Sequence, residues 1–356
     1  MDETALTDIL YGSIILAAGG GGPVQSGKSL VRSMALSRIR PKLIPFESIP
    51  NSSKVAVPIA MGSCATLLEN FLDFQMIKAL KIFEEQVGKV DALLPVETGQ
   101  VNTLAVLYTG AKTAIPIIDA DGTGRSIPEF KNTVFYSARV DPNPFVMYDS
   151  AGNFVVLHAS KIDEVDRLGR TICTEMGGLC GVCGIQISGE EIKRIAVPNT
   201  ISNCLRLGKV LRENRGSRVV EALVKCTDGF LLTKGRIAKI ESKVAHGHDY
   251  GMMEVKGLAS YKGKDVSIAF KNEGLIAYLN GKPAVISPDH IFMIDLLTSE
   301  PVTFTDVVPD LLVAVIALMA NPKRRTKLDY DGFRDSLRDV GYVGEYVPVE
   351  DLLNGS

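Results

Sequence analysis

The sequence predicts a two-part α/β protein: an N-terminal α/β layer on a parallel or mixed sheet, then a C-terminal β-rich domain. Three observations carry this. The chain has 356 residues, more than one ordinary hydrophobic core organises. Up to residue 118, apolar runs of strand length alternate with stretches of helical period. From Gly229 the runs become short and alternating, separated by Gly263-Lys264 and Asn280-Gly281, as in antiparallel hairpins. The domains are drawn at 1–177 and 178–356, the second opening with helices before its β-rich module.

Thr7-Asp8 offers a cap for a helix over Ile9 to Ala17. Gly19-Gly20-Gly21-Gly22-Pro23 ends it, and such a run is entropically costly unless the backbone bends tightly or lies against a ligand. A second helix is expected from Ser29 to Ile39, a strand from Lys54 to Met61, and a long amphipathic helix from Thr66 to Val87. Asp91 to Val96 reads as a strand, Asn102 to Lys112 as a helix, and Ala114 to Ile118 as a buried strand. Thr133 to Val140 and Phe154 to His158 look extended, with Asp141-Pro142-Asn143-Pro144 as the turn between them. Ser160 opens a helix to Met176, stopped by Gly177-Gly178. Leu179 to Ser188 is strand-like, and helices follow at Gly189 to Ile195, Asn199 to Asn214 and Arg218 to Cys226. The later strands are Leu231 to Thr233, Arg236 to Val244, Met252 to Tyr261, Asp265 to Lys271, Leu275 to Leu279, Ala284 to Ile286 and Asp310 to Met319. A short helix from Arg334 to Val340 comes last.

Hydrophobic residues make up 46% and charged residues 22%, the balance of a folding globular chain. A net charge of -2 leaves no broad basic face for nucleic acid or anionic lipid. The absence of Trp argues against base-stacking platforms. The longest apolar run, Leu311 to Ala320, is about half a membrane span. Six cysteines behind an acidic opening, with no leader-like apolar run, point to free thiols in a reducing cytoplasm. The expectation is a cytoplasmic homo-oligomer acting on a small molecule, with no nucleic-acid or membrane partner.

The densest chemistry follows the Ala114–Ile118 strand, in Asp119-Ala120-Asp121-Gly122-Thr123-Gly124-Arg125-Ser126-Ile127-Pro128-Glu129. Carboxylates beside a guanidinium supply acid, base and anion-clamp chemistry. Loops at strand ends of α/β layers are where ligands bind. Glu97 and Asn102 end the neighbouring strand, so Glu97, Asp119 and Asp121 are expected to crowd. They would then raise one another's pKa, or hold a divalent cation. The bland alternative is a surface turn with solvated charges.

Gly22-Pro23-Val24-Gln25-Ser26-Gly27-Lys28-Ser29 fits the G-x-x-x-x-G-K-S phosphate loop, with Ile117-Ile118-Asp119 as its magnesium strand. That mechanism needs a buried strand before the loop, where a helix is expected, and Pro23 removes an amide. A nucleotide hydrolase is therefore the minor reading. Cys180-Gly181-Val182-Cys183 lacks the second pair of a zinc ribbon and sits in a strand-like run, so buried hydrophobes are expected. His246-Gly247-His248-Asp249 offers His246, His248 and Asp249 as a candidate metal set, against a plain polar hairpin turn. Lys271-Asn272-Glu273 and Ser287-Pro288-Asp289-His290 are turn chemistry, or polar groups brought to a domain interface.

Five segments in order resemble the S-methyl thiohydantoin desulfurase family: Gly19 to Pro23, Pro95-Val96-Glu97-Thr98-Gly99, Asp119 to Glu129, Pro198-Asn199-Thr200-Ile201-Ser202, and Lys271-Asn272-Glu273. The resemblance runs from about Asp8 to Asn321. Members are associated with hydantoinase/oxoprolinase enzymes and divide into an N-terminal and a β-rich C-terminal domain. The family pattern calls for no Lys28-Ser29, which makes the phosphate-loop match accidental. The resemblance implies a hydrolase-like reaction on a hydantoin-like ring, a five-membered cyclic ureide or thioureide: water adds to the S-methylated carbon and methanethiol leaves. It also implies a hydantoinase/oxoprolinase-type partner. On this reading Glu97 or Asp121 is the base, with Asp119 beside them, and Arg125 holds a carboxylate or ring carbonyl. The amides of Gly20, Gly21 and Gly22 line the anionic side, and Asn102, Gly122, Gly124, Glu129, Asn272 and Glu273 complete the substrate contacts. The cofactor is left open, a divalent metal being the one considered. The competing class is a non-catalytic subunit that binds a hydantoin-like ligand or a hydantoinase.

Overall fold

In the computed structural model, which describes residues 1–62, 74–245 and 247–354, the N-terminal part is built on a seven-stranded mixed sheet. Its spatial order is Leu43–Ile44, Ile117–Ile118, Ala92–Leu93, Lys54–Gly62, Leu179–Ser188, Phe145–Tyr148, Phe154–Leu157. The first four strands are parallel and the last three add antiparallel. Side chains alternate across the sheet: Val55, Val57, Ile59 and Met61 enter one core, and Ala56 enters the other. Both faces are covered by helices, which is why Lys54–Gly62 reads as a nearly unbroken apolar run. Gly181 is required by this packing, because a Cβ there would lie 2.2 Å from the Met76 amide nitrogen of helix Gln75–Val87.

Helix Glu3–Leu16 lies along helix Thr200–Glu213. Gly12 and Gly208 set their approach: a Cβ on either would fall 1.8 Å from a carbonyl of the opposite helix, Cys204 O or Asp8 O. These helices also cover Phe292, Ile294, Ala314, Ile316 and Leu318 of the second sheet, joining the two halves through one core. That sheet has eight antiparallel strands in the order Lys282–Ile286, Glu273–Leu279, Val266–Lys271, His248–Gly257, Phe230–Ala245, Leu312–Leu318, His290–Asp295, Pro301–Val302. Helix Lys327–Asp339 packs Tyr330, Phe333 and Leu337 against Leu275, Ile276 and Ile286.

Several boundaries differ from expectation, each for a local reason. The first helix begins at Glu3, where Asp2 Oδ1 accepts from Ala5 N at 2.9 Å. Asp8, read as the cap, is buried and pairs with Arg212 at 2.9 Å. The second helix, Val24–Leu36, starts immediately after Pro23. Thr133 to Val140 is not extended: the Thr133 side chain caps a short helix, Val134–Ser137, and the strand falls at Phe145–Tyr148. Of the stretch expected to be helical over Thr66 to Val87, helix Gln75–Val87 is described, and residues 66–73 and Cys64 lie outside the described residues. Leu179–Ser188, placed after the sequence-based boundary, pairs along the whole of Lys54–Gly62. No helix among the described residues is long and apolar enough to cross a membrane.

Candidate functional site

The chain bends at Gly19–Pro23 between two helices. Gly19, Gly21 and Gly22 have φ of 82°, 79° and 89°, a region L side chains avoid. The carbonyls of this turn are all engaged. Gln100 Nε2 donates to Gly20 O at 2.8 Å and to Gly22 O, and Val101 N donates to Gly21 O at 3.3 Å. Ala18 O accepts from Gly274 N of the second sheet and Gly19 O from Phe304 N, just past its edge strand, each at 2.8 Å. The turn is thus fixed to both halves of the chain.

Glu97 is buried just beyond strand Ala92–Leu93. Its Oε1 accepts from Asn102 Nδ2 at 2.6 Å, and its Oε2 accepts from Ile127 N at 2.8 Å. Asn102 Oδ1 accepts from Ala60 N at 2.7 Å, which fixes the direction of the amide. Glu273 opens its strand after Asn272, which takes the left-handed φ of 59°. Ser126 Oγ stands between the two acids, 3.1 Å from Glu97 Oε2 and 2.9 Å from Glu273 Oε1. Glu273 Oε2 is buried with no hydrogen-bond partner. Burial raises the Glu97 pKa, while Asn102, Ile127 and Ser126 pull it back. Burial, and next the Glu97 charge, push Glu273 up to about 8, against the Ser126 hydrogen bond, the Arg125 charge and the Gly21 amide. Such a pair titrates as a unit and holds a proton near neutral pH.

These groups wall a cavity of about 540 Å³ between the sheet ends and the second sheet. Gly20, Gly21, Gly22, Glu97, Asn102, Asn272, Glu273 and Asp249 all line it. Ser126 lines it too, with Ile59, Met61, Arg170 and Ser242. Sequence reasoning passed over Ser126, whose only signal was its place beside Arg125.

The acidic loop serves other ends, and its expected base and substrate clamp are reassigned. Asp119 Oδ1 accepts from Ile201 N and Ser202 N at 3.0 Å each, and its Oδ2 from Ser202 Oγ. It therefore caps helix Thr200–Glu213 from a distant segment. Asp121 Oδ1 accepts from Thr123 N at 2.8 Å and Gly124 N at 2.6 Å, and its Oδ2 from Thr98 Oγ1. Burial still raises its pKa to about 6. Arg125 is 1% exposed. It donates to Ser126 O, Ser287 Oγ, Pro288 O, Asp289 O and Gly274 O at 2.8–3.1 Å. It bolts the loop to the second sheet and leaves no fork for a ligand. Gly122 and Gly124 shape the same turn: a Cβ on Gly122 would meet the Phe135 ring at 2.5 Å, and Gly124 has φ of 75°.

Glu129 faces a second cavity of about 790 Å³, with Lys131, His248 and Lys271. Burial pushes its carboxyl up, but hydrogen bonds from Lys131 and Lys271 outweigh this and hold it at about 2. His248 opens on this second cavity and Asp249 on the first, while His246 lies outside the described residues. Among the described residues no group of three His, Cys, Asp or Glu side chains could hold a metal ion. The glycine turn follows a helix, not a strand, and Lys28 Nζ lies 3.8 Å from Glu300, away from the cavity. The phosphate-loop reading therefore fails its structural condition. Cys180 and Cys183 enter opposite cores of the first sheet, as small apolar groups.

Two family models match the chain. The S-Me-THD-like N-terminal domain matches residues 4–159, and the S-Me-THD-like C-terminal domain matches residues 160–332. Among solved structures, the crystal structure of a protein from Chromobacterium violaceum is similar, with a TM-score of 0.83 and 21% identity over 98% of this chain and 99% of that one. At that identity the likeness shows the fold. No curated protein matches the chain.

Proposed function

The chain belongs to the S-Me-THD-like family, and from that premise we propose that it hydrolyses an S-methylated cyclic thioureide of the hydantoin type. The observation that carries the reading is the pair of buried carboxylates, Glu97 and Glu273, on one wall of a ligand-sized cavity. Water adds to the ring carbon that bears the methylthio group, the C–S bond breaks, and the carbon becomes a carbonyl. Of the two protons of water, one ends on methanethiol and one on the ring nitrogen. Glu97, held by Asn102 and Ile127, is the base that takes a proton from water. Glu273, protonated up to about pH 8, is the acid that gives one to the departing sulfur. The glycine turn gives little support to developing negative charge, because the Gly20 amide donates to Ala17 O at 3.0 Å and the Gly21 amide faces the Glu273 carboxyl.

The test is direct. The purified protein is incubated with a 2-methylthio-substituted hydantoin ring, and released thiol and hydantoin are quantified together. Equal amounts of both, lost in Glu97→Gln, are the expected result. A thermal shift with the ring but no thiol release would overturn the hydrolase reading in favour of a ligand-binding subunit. Neither shift nor release across substituted rings would remove this ligand class.

A further inference from the structure

We propose that Ser126 is a positioning residue that orients one proton between the two acids, on Glu273 and not on Glu97, through the chain Glu273 Oε1–H to Ser126 Oγ, and Ser126 Oγ–H to Glu97 Oε2. The kinetic consequence rests on the hydrolase reading above, whereas the proton assignment does not.

The argument is a count of donors and acceptors. A hydroxyl has one hydrogen to give and lone pairs to receive. Ser126 Oγ lies within hydrogen-bonding distance of two carboxyl oxygens, at 3.1 Å and 2.9 Å. It can donate to only one, so the other must carry the proton and donate to it. The surroundings of Glu97 decide which. Ile127 N is a donor only. Asn102 Nδ2 is pinned as a donor because the amide oxygen is taken by Ala60 N. Both oxygens of Glu97 thus already receive fixed N–H groups, which favours the ionised form. Glu273 receives less: one backbone amide, that of Gly21, favours its charge, and its Oε2 is buried without a close hydrogen bond, an expensive place for a full charge.

The remaining charges agree with this order. Arg125 sits near Glu273, but its donors go to Ser126 O and to groups of the second sheet. Asp121 faces Glu97 and disfavours its charge, though its own carboxylate is held by Thr98, Thr123 and Gly124. Asp249 and Arg170 stand on the same cavity wall, and Arg170 is paired with Asp166 at 2.7 Å. Ser126 itself is held through its carbonyl by Arg125 Nε at 2.9 Å, so the hydroxyl is delivered from a fixed backbone. Proton order and catalytic order coincide: the ionised acid is the one flanked by donors, ready to accept from water.

The experiment is infrared spectroscopy of the full chain at pH 7 without substrate, joined to pH–rate profiles of methanethiol release. Glu273→Gln should remove one protonated-carboxyl band from the wild-type spectrum. In Ser126→Ala that band should move to higher frequency, and in Ser126→Thr, which keeps the hydroxyl, it should return. The acid limb of the rate profile should rise by about one to two pH units in Ser126→Ala, as Glu97 loses a hydrogen bond to its charged form. An unmoved band and limb in a folded Ser126→Ala would overturn the proposal. So would a wild-type spectrum with no band that Glu273→Gln removes, which decides the matter even if Ser126→Ala does not fold. If the wild type releases no methanethiol, the function reading fails alone, and the infrared comparison still judges the proton assignment.

Discussion

Replacing Gly20 with alanine isolates the contact on which the acid pair depends. Gly20 is the one residue of its four-glycine run without a positive φ, so alanine meets no backbone penalty there. The obstacle is purely steric. A Cβ at Gly20 would lie 2.3 Å from Glu273 Oε1 and 2.6 Å from its Cγ, where ordinary contacts begin at 3.4 Å. The carboxyl must therefore retreat by about 1 Å, which breaks its 2.9 Å approach to Ser126. A displacement of that size at a reacting group lowers turnover by about 10²-fold. Overpacking of the same kind lowers stability by about 1–3 kcal/mol. Methanethiol release and thermal melting, measured on the same preparations, read the two effects separately. In a Glu273→Ala background the Gly20 substitution should leave the melting temperature unchanged, because there is nothing left to strike. Wild-type turnover in Gly20→Ala would refute the reasoning.

Other outcomes follow from the same geometry. Glu97→Gln keeps the shape of the side chain and should lower turnover by about 10²–10⁴-fold, as for a lost general base, while its amide nitrogen must face Asn102 Nδ2 or Ile127 N and costs about 1–3 kcal/mol of stability; undiminished thiol release would strike Glu97 from the mechanism. Asp119→Ala should cost about 0.5–2 kcal/mol through the lost helix cap while turnover per folded molecule stays constant, checked by denaturant titration alongside rates. Arg125→Lys should destabilise by about 3–5 kcal/mol, since an ammonium cannot reach the five acceptors served by the guanidinium; a melting curve like that of the wild type would contradict the clamp. Glu273, raised from 4.5 to about 8 in the fold, retains a proton that the unfolded chain releases between those values. Stability should therefore decline as pH rises from about 4.5 to about 8 and level off above, and Glu273→Gln should flatten that slope.

The fold class was legible because both signals were local. Alternation of strand and helix lengths marked the first layer, and Asn280-Gly281 with short alternating runs marked the second sheet. Gly20 to Gly22, Glu97, Asn102 and Glu273 were legible as polar or flexible residues at element ends, and the structure brings them to one cavity. Less legible were the partners of the charged groups in the 119–129 loop. Asp119 and Arg125 look reactive in sequence, yet their partners are supplied by segments 82 to 162 residues away: Asp119 meets Ile201 and Ser202, and Arg125 meets Ser287. No window of sequence contains those pairings. Ser126 was passed over for the opposite reason, since a lone serine carries no pattern until two acids from distant strands close on it. Thr133 misled at shorter range, where a β-branched residue before an apolar run serves as a helix cap.

The seam where Ala18 and Gly19 meet Gly274 and Phe304 is made by main-chain atoms. Such a joint is indifferent to most exchanges of side chain. The floor of the cavity can stay in register while Ile240, Ser242 or Met61 is exchanged around it. This makes the scaffold a promising host for directed redesign of what it admits, with the acid pair left in place and only the surrounding walls recut.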